Sequence, residues 1–326
     1  MRALTLSTVV VSTAVAVVCQ TSWVDPSPHQ QRFVEVAPQA RIEVLDWGGS
    51  GRTVVLLAQL GQTAHIYDDW APTLASRFKV LGITRRGYGE SSARDSYSAD
   101  DLVTDILRTL AAEQVRDPIL VGNGFAGEEM SLIAERFPDR VAGLVYVNAA
   151  YDRSNIGTEA AITKRIPRPA GDPNALASIQ AFAQSFFNAT GVRIPESELR
   201  QLAQLSADGR VVGERPTPVG QQQILAGMRP HDYSAIRVPV LAIYATPASS
   251  DSYPGCAMPS EQAVRQACQE LYAWTLQQLE NSKRLIATIP SKPRVVEIPG
   301  ARAFVFLSNP AEVMRAIELF ATGATR

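Results

Sequence analysis

Blocks of like charge are missing from this chain: 31 basic residues stand against 32 acidic ones, for a formal net charge of −1. That balance excludes the electrostatic footprint of a nucleic-acid binder or of a protein held on an anionic membrane surface. It predicts an evenly solvated exterior. Histidine is scarce as well. The three present are His29, His65 and His231, and no His/Asp/Glu group has the spacing of metal ligands, so no metal and no other cofactor is expected. There is no internal repeat and no low-complexity tract. What the chain does have is apolar bulk. At 326 residues, 46% hydrophobic and 19% charged, it can build a sizeable core, as one large α/β domain with an insertion or as two modest domains.

The N-terminus reads as a leader. Met1-Arg2 is a short positive start, Ala3 to Val18 is apolar apart from Thr and Ser, and Ala14-Val15-Ala16 fits a small-x-small cleavage pattern. The apolar run is short for a bilayer. Residues 1–22 are therefore expected to be a signal peptide, and the protein to be exported, periplasmic or secreted. An uncleaved anchor and a lipid anchor at Cys19 stand beside that reading, although Val18 is a poor fit to the small residue that lipid attachment wants. Without Cys19, two cysteines remain, Cys256 and Cys268, 12 positions apart. An exported chain with an even cysteine count suggests a local disulfide; two separate buried thiols are the alternative.

After the leader, β-rich segments at Arg32 to Val36 and Arg41 to Trp47 precede continuous apolar runs of buried-strand type. These are Thr53 to Leu57, Lys79 to Ile83, Pro118 to Val121, Val141 to Val147, Pro239 to Tyr244 and Arg294 to Ile298. Amphipathic stretches lie between them: Asp68 to Ser76, Ala99 to Glu113, Phe125 to Phe137, Ser260 to Asn281 and Pro310 to Phe320. Such alternation implies parallel β-α-β units with helices on both faces. One interval breaks it. From Tyr151 to Pro230 the patterns are helical (Ala175 to Asn188, Glu196 to Leu205, Gly220 to Met228), with no convincing buried strand. The expected organisation is a core of residues 32–150 and 231–326 with a helical cap or lid, 151–230, inserted over the sheet's C-terminal edge.

The most informative stretch is Ile119-Leu120-Val121-Gly122-Asn123-Gly124-Phe125-Ala126-Gly127. A buried strand runs into small residues and then into a helix, the layout of a nucleophile elbow, in which a strained turn lifts one side chain above the sheet. The middle position is Gly124, which has no side chain to lift.

Here the chain resembles the α/β-hydrolase family, over essentially Arg32 to Phe320. Leu56-Leu57-Ala58-Gln59-Leu60-Gly61 resembles the family's strand and oxyanion loop, with Ala58-Gln59 where members often have His-Gly. Arg86-Gly87-Tyr88-Gly89-Glu90-Ser91-Ser92 is similar to its Arg-Gly-aromatic-Gly-x-Ser turn, and Pro299-Gly300-Ala301-Arg302-Ala303-Phe304 to the loop that delivers the catalytic His. The resemblance implies a mostly parallel eight-stranded sheet flanked by helices, and a Ser-acid-His triad. Carried over one position at a time, the nucleophile falls on Gly124 and the base on Arg302 or, better, Ala303. The acid falls either after the strand ending near Val147, where Asn148 stands, or after the strand ending near Tyr244, where Asp251 is the nearest carboxylate; Asp152 is a further candidate. Neither Gly124 nor Ala303 can do the chemistry of its position.

Among possible substitutes, His29 lies in the N-terminal linker and His231 precedes a strand, so both should be remote. His65 follows a strand and faces either a pocket or the packing of the next helix. Backbone N–H groups of Phe125 and Leu60 are expected to survive as an anion-binding pair. A pocket under the lid, lined by Leu60, Phe125, His65 and lid aromatics such as Phe182, Phe186 and Phe187, would take a small molecule, although helical spacing also suits these aromatics to ordinary core. Three readings follow: an inactive homologue binding a small apolar or carbonyl-bearing ligand, an active esterase-like hydrolase or lyase using His65 with a water, or a scaffold whose surface matters.

Overall fold

In a computed structural model of the chain, residues 23–151, 156–167, 174–207, 209–215, 220–257 and 259–323 are described. Residues 1–22, expected to be a signal peptide, and Asp152 lie outside them. No helix among the described residues is long and apolar enough to cross a membrane.

The chain opens with an antiparallel pair, β1 (Gln30–Ala37) and β2 (Ala40–Gly48), and then β3 (Thr53–Leu57). A 3-10 turn, Ala64–Tyr67, precedes a short α1 (Ala71–Ala75), with Pro72 in its first turn. The amphipathic stretch from Asp68 is thus split, because a proline suits the start of a helix rather than its interior. There follow β4 (Lys79–Ile83), α2 (Ala99–Ala112), β5 (Ile119–Asn123), α3 (Ala126–Arg136) and β6 (Gly143–Val147). Ser98 caps α2 by accepting the Asp101 N–H, and Asp100 and Asp101 suit the positive end of that helix.

Between β6 and the next sheet strand come α4 (Ile156–Thr163), α5 (Ile179–Thr190), α6 (Glu196–Leu202), β7 (Ala203–Leu205), β8 (Val211–Glu214) and α7 (Gly220–Ala226). The segment is mostly helical, but β7 and β8 form an antiparallel hairpin that the helical reading of Glu196 to Leu205 did not include. The pattern is too short there for helical and strand periods to be told apart. The chain rejoins the core with β9 (Val240–Thr246), a long α8 (Gln262–Ile286), β10 (Arg294–Pro299), α9 (Val305–Ser308) and α10 (Pro310–Ala321).

The eight sheet strands lie in the order β1-β2-β4-β3-β5-β6-β9-β10, parallel from β4 onward. Alternation along each strand feeds two cores. Val54 and Leu56 face one side, with Trp70 and Leu74 near α1 and Val313 and Ile317 of α10. Val55 and Leu57 face the other, with Ile106 of α2, Met130 and Ile133 of α3, and Leu279 and Ile286 of α8. Strands this apolar require cover on both faces, which fixes the three-layer arrangement. A satellite cluster joins Ile162 and Ile166 to Val264, Ala267 and Leu271, around a disulfide between Cys256 and Cys268. The bridge settles the cysteine alternatives in favour of the bonded pair.

Candidate functional site

The C-terminal edge of the sheet carries the elbow. Gly122, next to last in β5, lies against α3, where a Cβ would overlap the Met130 sulfur and lie 2.9 Å from the Ala126 Cβ. Close approach of the helix therefore requires a residue without a side chain. Gly124 has φ +55°, the left-handed conformation expected at the tip of the turn. A Cβ there would lie 2.8 Å from Gln59 Oε1 and 2.9 Å from Gln59 Cβ. The space into which a nucleophile would project is filled by Gln59, the residue after Ala58 in the loop leaving β3. That loop is held from below. The buried Arg85 guanidinium pairs with Glu129 Oε1 at 2.6 Å and donates to the Ala58 carbonyl at 3.1 Å.

Asn148, at the acid position just after β6, also has positive φ, +49°. Its Oδ1 accepts from the Ala245 N–H at 3.1 Å and from the Tyr151 hydroxyl at 2.5 Å. The amide thus ties the ends of β6 and β9 together without bearing charge. Asn123 makes a similar stitch, donating from Nδ2 to the Val147 carbonyl at 2.9 Å. Ala303 stands in the loop after β10. Asp251 is exposed in the 3-10 turn Ser250–Ser252, where its own N–H is capped by Ser249 Oγ. Arg302 donates to the Ser252 carbonyl at 2.7 Å.

Asn148, Ala303 and Arg302 line one cavity of about 430 Å³, whose far wall is α8 with Trp274 and Gln278. Ala189 and Thr190 at the end of α5 also reach it. Two polar atoms of these wall residues, Trp274 Nε1 and Gln278 Oε1, are buried behind the cavity surface with no hydrogen-bond partner. They are one helical turn apart, and a buried polar atom left unpaired is costly, so turning either side chain into the cavity to meet a ligand would relieve that cost. Sequence reasoning missed them because their spacing also fits the buried face of an ordinary helix.

The residues expected to form one pocket separate in space. Phe125 lines a second cavity of about 230 Å³ with Tyr97, Leu102, Ile224 and His231. Leu60 packs against the same group through Tyr88, Tyr97, Leu102 and Ile224. Phe182 and Phe186 belong to the main core, and Phe187 lies under Arg193, 4.8 Å from ring centroid to guanidinium carbon.

His65 lines neither cavity. It is buried in the 3-10 turn, where Nδ1 lies 3.0 Å from Asp68 Oδ2 and Nε2 lies 3.4 Å from Glu43 Oε1. Burial opposes its charge, yet hydrogen bonds to Asp68 and Glu43 outweigh that and push it up to about 10. Burial likewise acts to raise Asp68, but His29 and His65 bring it down to about 2.

His29 is not remote, as its place in the linker suggested. Its Nδ1 lies 2.7 Å from Asp68 Oδ1, because β1 runs back along β2 and carries the segment before it over the 3-10 turn. Asp25 completes the group, and Asp25, His29, His65 and Asp68 lie close enough to hold a metal ion. The absence of metal-ligand spacing in the sequence therefore did not exclude such a cluster. His231 is not at the far end of the sheet either. It lies along α3, 2.8 Å from Glu128 and 3.1 Å from Glu135, which raise it to about 9 against the opposing effect of burial.

Comparison with known proteins agrees with this geometry. The alpha/beta hydrolase family profile matches residues 49–316, and the chain belongs to that family. Bifunctional epoxide hydrolase 2 of Sus scrofa is 28% identical over 135 residues, 40% of this chain and 24% of that protein. Epoxide hydrolase 4 of Homo sapiens is 29% identical over 142 residues, 41% of this chain and 38% of that one. The matched stretch is thus well under half the length of these curated relatives. The solved structure of E-2-(acetamidomethylene)succinate hydrolase superposes with a TM-score of 0.65 at 19% identity, covering 90% of this chain and 99% of that one. At that identity the likeness speaks for the fold.

Proposed function

We propose that this member of the family does no hydrolysis and instead binds a small, largely apolar, carbonyl-bearing molecule in the 430 Å³ cavity beside Asn148 and Ala303. One observation carries the reading. The cavity beside Asn148 and Ala303 has a mostly apolar lining, and in its α8 wall the Trp274 N–H and the Gln278 side-chain oxygen lie buried without partners. An amide would meet both once those side chains turned inward, its carbonyl accepting from the indole and its N–H donating to the carboxamide oxygen. The segment 151–230 would act as the lid, since Glu159, Ala189 and Thr190 reach the cavity wall. The disulfide supports a location outside the cytoplasm, in keeping with the leader.

Magnitudes disfavour turnover. Losing a triad serine or histidine costs roughly a million-fold, while binding and oxyanion stabilisation retain about a thousand- to ten-thousand-fold over water. Here both positions are emptied and Gln59 occupies the nucleophile's space. His65 offers no replacement, since its ring nitrogens face Asp68 and Glu43.

The test is twofold. Purified protein should resist a fluorophosphonate and leave short-chain nitrophenyl esters intact. A panel of hydrophobic amides should quench tryptophan fluorescence saturably, and Trp274→Phe should weaken that binding. Stoichiometric labelling of a cavity residue would overturn the inactive reading. Equal affinity for amides in the wild type and Trp274→Phe would overturn the assigned cavity.

A further inference from the structure

A dense group of ionisable side chains lies outside the 430 Å³ cavity. It sits where the segment before β1 crosses the 3-10 turn after β3. We propose that Asp25, His29, His65 and Asp68 form a binding site for a divalent cation of the zinc class.

One ligand atom from each of the four residues lies within 4.8 Å of the others. A tetrahedral ion with bonds of about 2.0–2.2 Å to nitrogen and oxygen holds its ligand atoms roughly 3.3–3.5 Å apart. His65 Nδ1 lies 3.0 Å from Asp68 Oδ2 and 3.7 Å from Asp25 Oδ2, close to that value. His29 Nδ1 lies 2.7 Å from Asp68 Oδ1, while its other nitrogen, Nε2, is the one 3.9 Å from Asp25 Oδ2, so one His29 nitrogen would bind and the ring would adjust. Small side-chain shifts would seat the ion. Two imidazoles with two carboxylates favour zinc over calcium or magnesium, which prefer shells made of oxygen.

The surroundings match a ligand set already aimed. His65 turns Nδ1 towards the other three residues and Nε2 towards Glu43, which is fully buried. His65 Nε2 is buried without a hydrogen bond that meets normal geometry. A metal-bound imidazole characteristically directs its second N–H at a carboxylate, which fixes the ring and raises its basicity. Asp68 is oriented in the same way, accepting from Ser197 Oγ at 2.6 Å and from Trp47 Nε1 at 3.1 Å.

Charge points the same way. Zinc binds neutral imidazoles, so it would replace the proton on His65, and the dication would then face three carboxylates, Asp25, Asp68 and Glu43, in a largely buried space. Asp25, whose side chain is 25% exposed, is the side from which an ion can enter. Bound there, the ion would clamp the segment before β1 to the turn after β3. Through Ser197 it would also hold the start of α6.

Zinc uptake by the purified full-length protein tests the site. The protein is stripped with a chelator, loaded with zinc chloride, desalted, and read by elemental analysis and thermal unfolding. One zinc retained per chain and a higher Tm are expected, with no such shift from magnesium or calcium. Asp25→Asn changes a partly exposed side chain before the first strand, while His29→Gln also removes a ring packed on Trp47, so its unfolding curve is read beside its zinc content; each should abolish stoichiometric retention. Glu43→Gln should weaken zinc affinity by roughly 10- to 100-fold without changing the number bound at saturation. His231→Gln, which alters the separate cluster along α3, should bind as the wild type does. No retained zinc in the loaded wild type overturns the proposal. So does uptake that survives undiminished in both Asp25→Asn and His29→Gln.

Discussion

Two regions of the molecule have opposite chemistry. Where the family's fold would place its catalytic side chains there is a glycine, an alanine and an uncharged amide. Across the sheet, beside the 3-10 turn, ionisable groups crowd together behind the segment that precedes β1. The difference teaches that the strand ends here are held without charge. Asn123 and Asn148 tie the ends of β5, β6 and β9 together through hydrogen bonds with Val147 and Ala245, and neither bond needs an ionised group. In the charged region the reverse holds. Asp68 is met by His29, His65, Trp47 and Ser197, so side chains and architecture cannot be separated there. Glu198 of α6 joins this region. Burial raises it to about 7 even though bonds from Thr63 act to lower it.

The sharpest break of this contrast is a pair of substitutions. Asp68→Ala leaves buried donors and imidazoles without their acceptor and should cost about 3–5 kcal/mol of stability. Ala303→His, at an exposed position on the cavity rim, should stay within about 0.5 kcal/mol of wild type. Urea denaturation of both variants measures this. Comparable losses would erase the distinction between the regions.

A smaller effect is expected at the elbow. Gly124→Ser must hold a left-handed backbone, at a cost of about 1–3 kcal/mol, and must also displace Gln59. In a Gln59→Ala background the same change should cost less. A double-mutant cycle read by thermal unfolding reports that coupling, and an additive result would mean that Gln59 does not occupy the nucleophile's space. Neither variant should show esterase activity, because no base stands by to take the proton. Adding Ala303→His should help only once Gln59 has been shortened.

The smallest expected effect lies along α3 and depends on pH. His231 is raised in the folded chain to about 9 by Glu128 and Glu135. A group raised on folding contributes in full below its unfolded value, about 6.5, and the contribution fades as pH climbs through 9. The stability difference between wild type and His231→Gln should therefore be on the order of 1–2 kcal/mol at pH 6. By pH 10 it should be nearly gone. A difference that grows with pH would show that the two glutamates do not hold an imidazolium.

The particular misreadings share a cause. Both Asp68 and His65 were in view three positions apart, but Asp25 and His29 are joined to them only because β1 folds back on β2. Glu198 is 135 residues from its partner Thr63, and nothing in either local pattern announces the contact. Leu60 and Phe125 were expected to share a pocket with the emptied triad positions. The path of the chain after β5 instead turns Phe125 towards α2 and α7, while Asn148 and Ala303 face α8. The hairpin of β7 and β8 was hidden in a segment whose strands are three and four residues long.

By itself the sequence determined the chain order of the eight sheet strands and the main helices between them, and the strand-glycine-helix turn at Gly124. Each of these is written in local periodicity or in the identity of a single residue. A strand apolar along its whole length must lie inside a covered sheet, and a glycine cannot attack. Tertiary structure alone decided which side chains meet: Gln59 over Gly124, Trp274 and Gln278 in the cavity wall, and Asp25 and His29 beside His65. Such meetings depend on strand pairing and on the paths of loops, which bring together residues far apart in the chain, while hydrophobic periodicity records only which face of an element is buried.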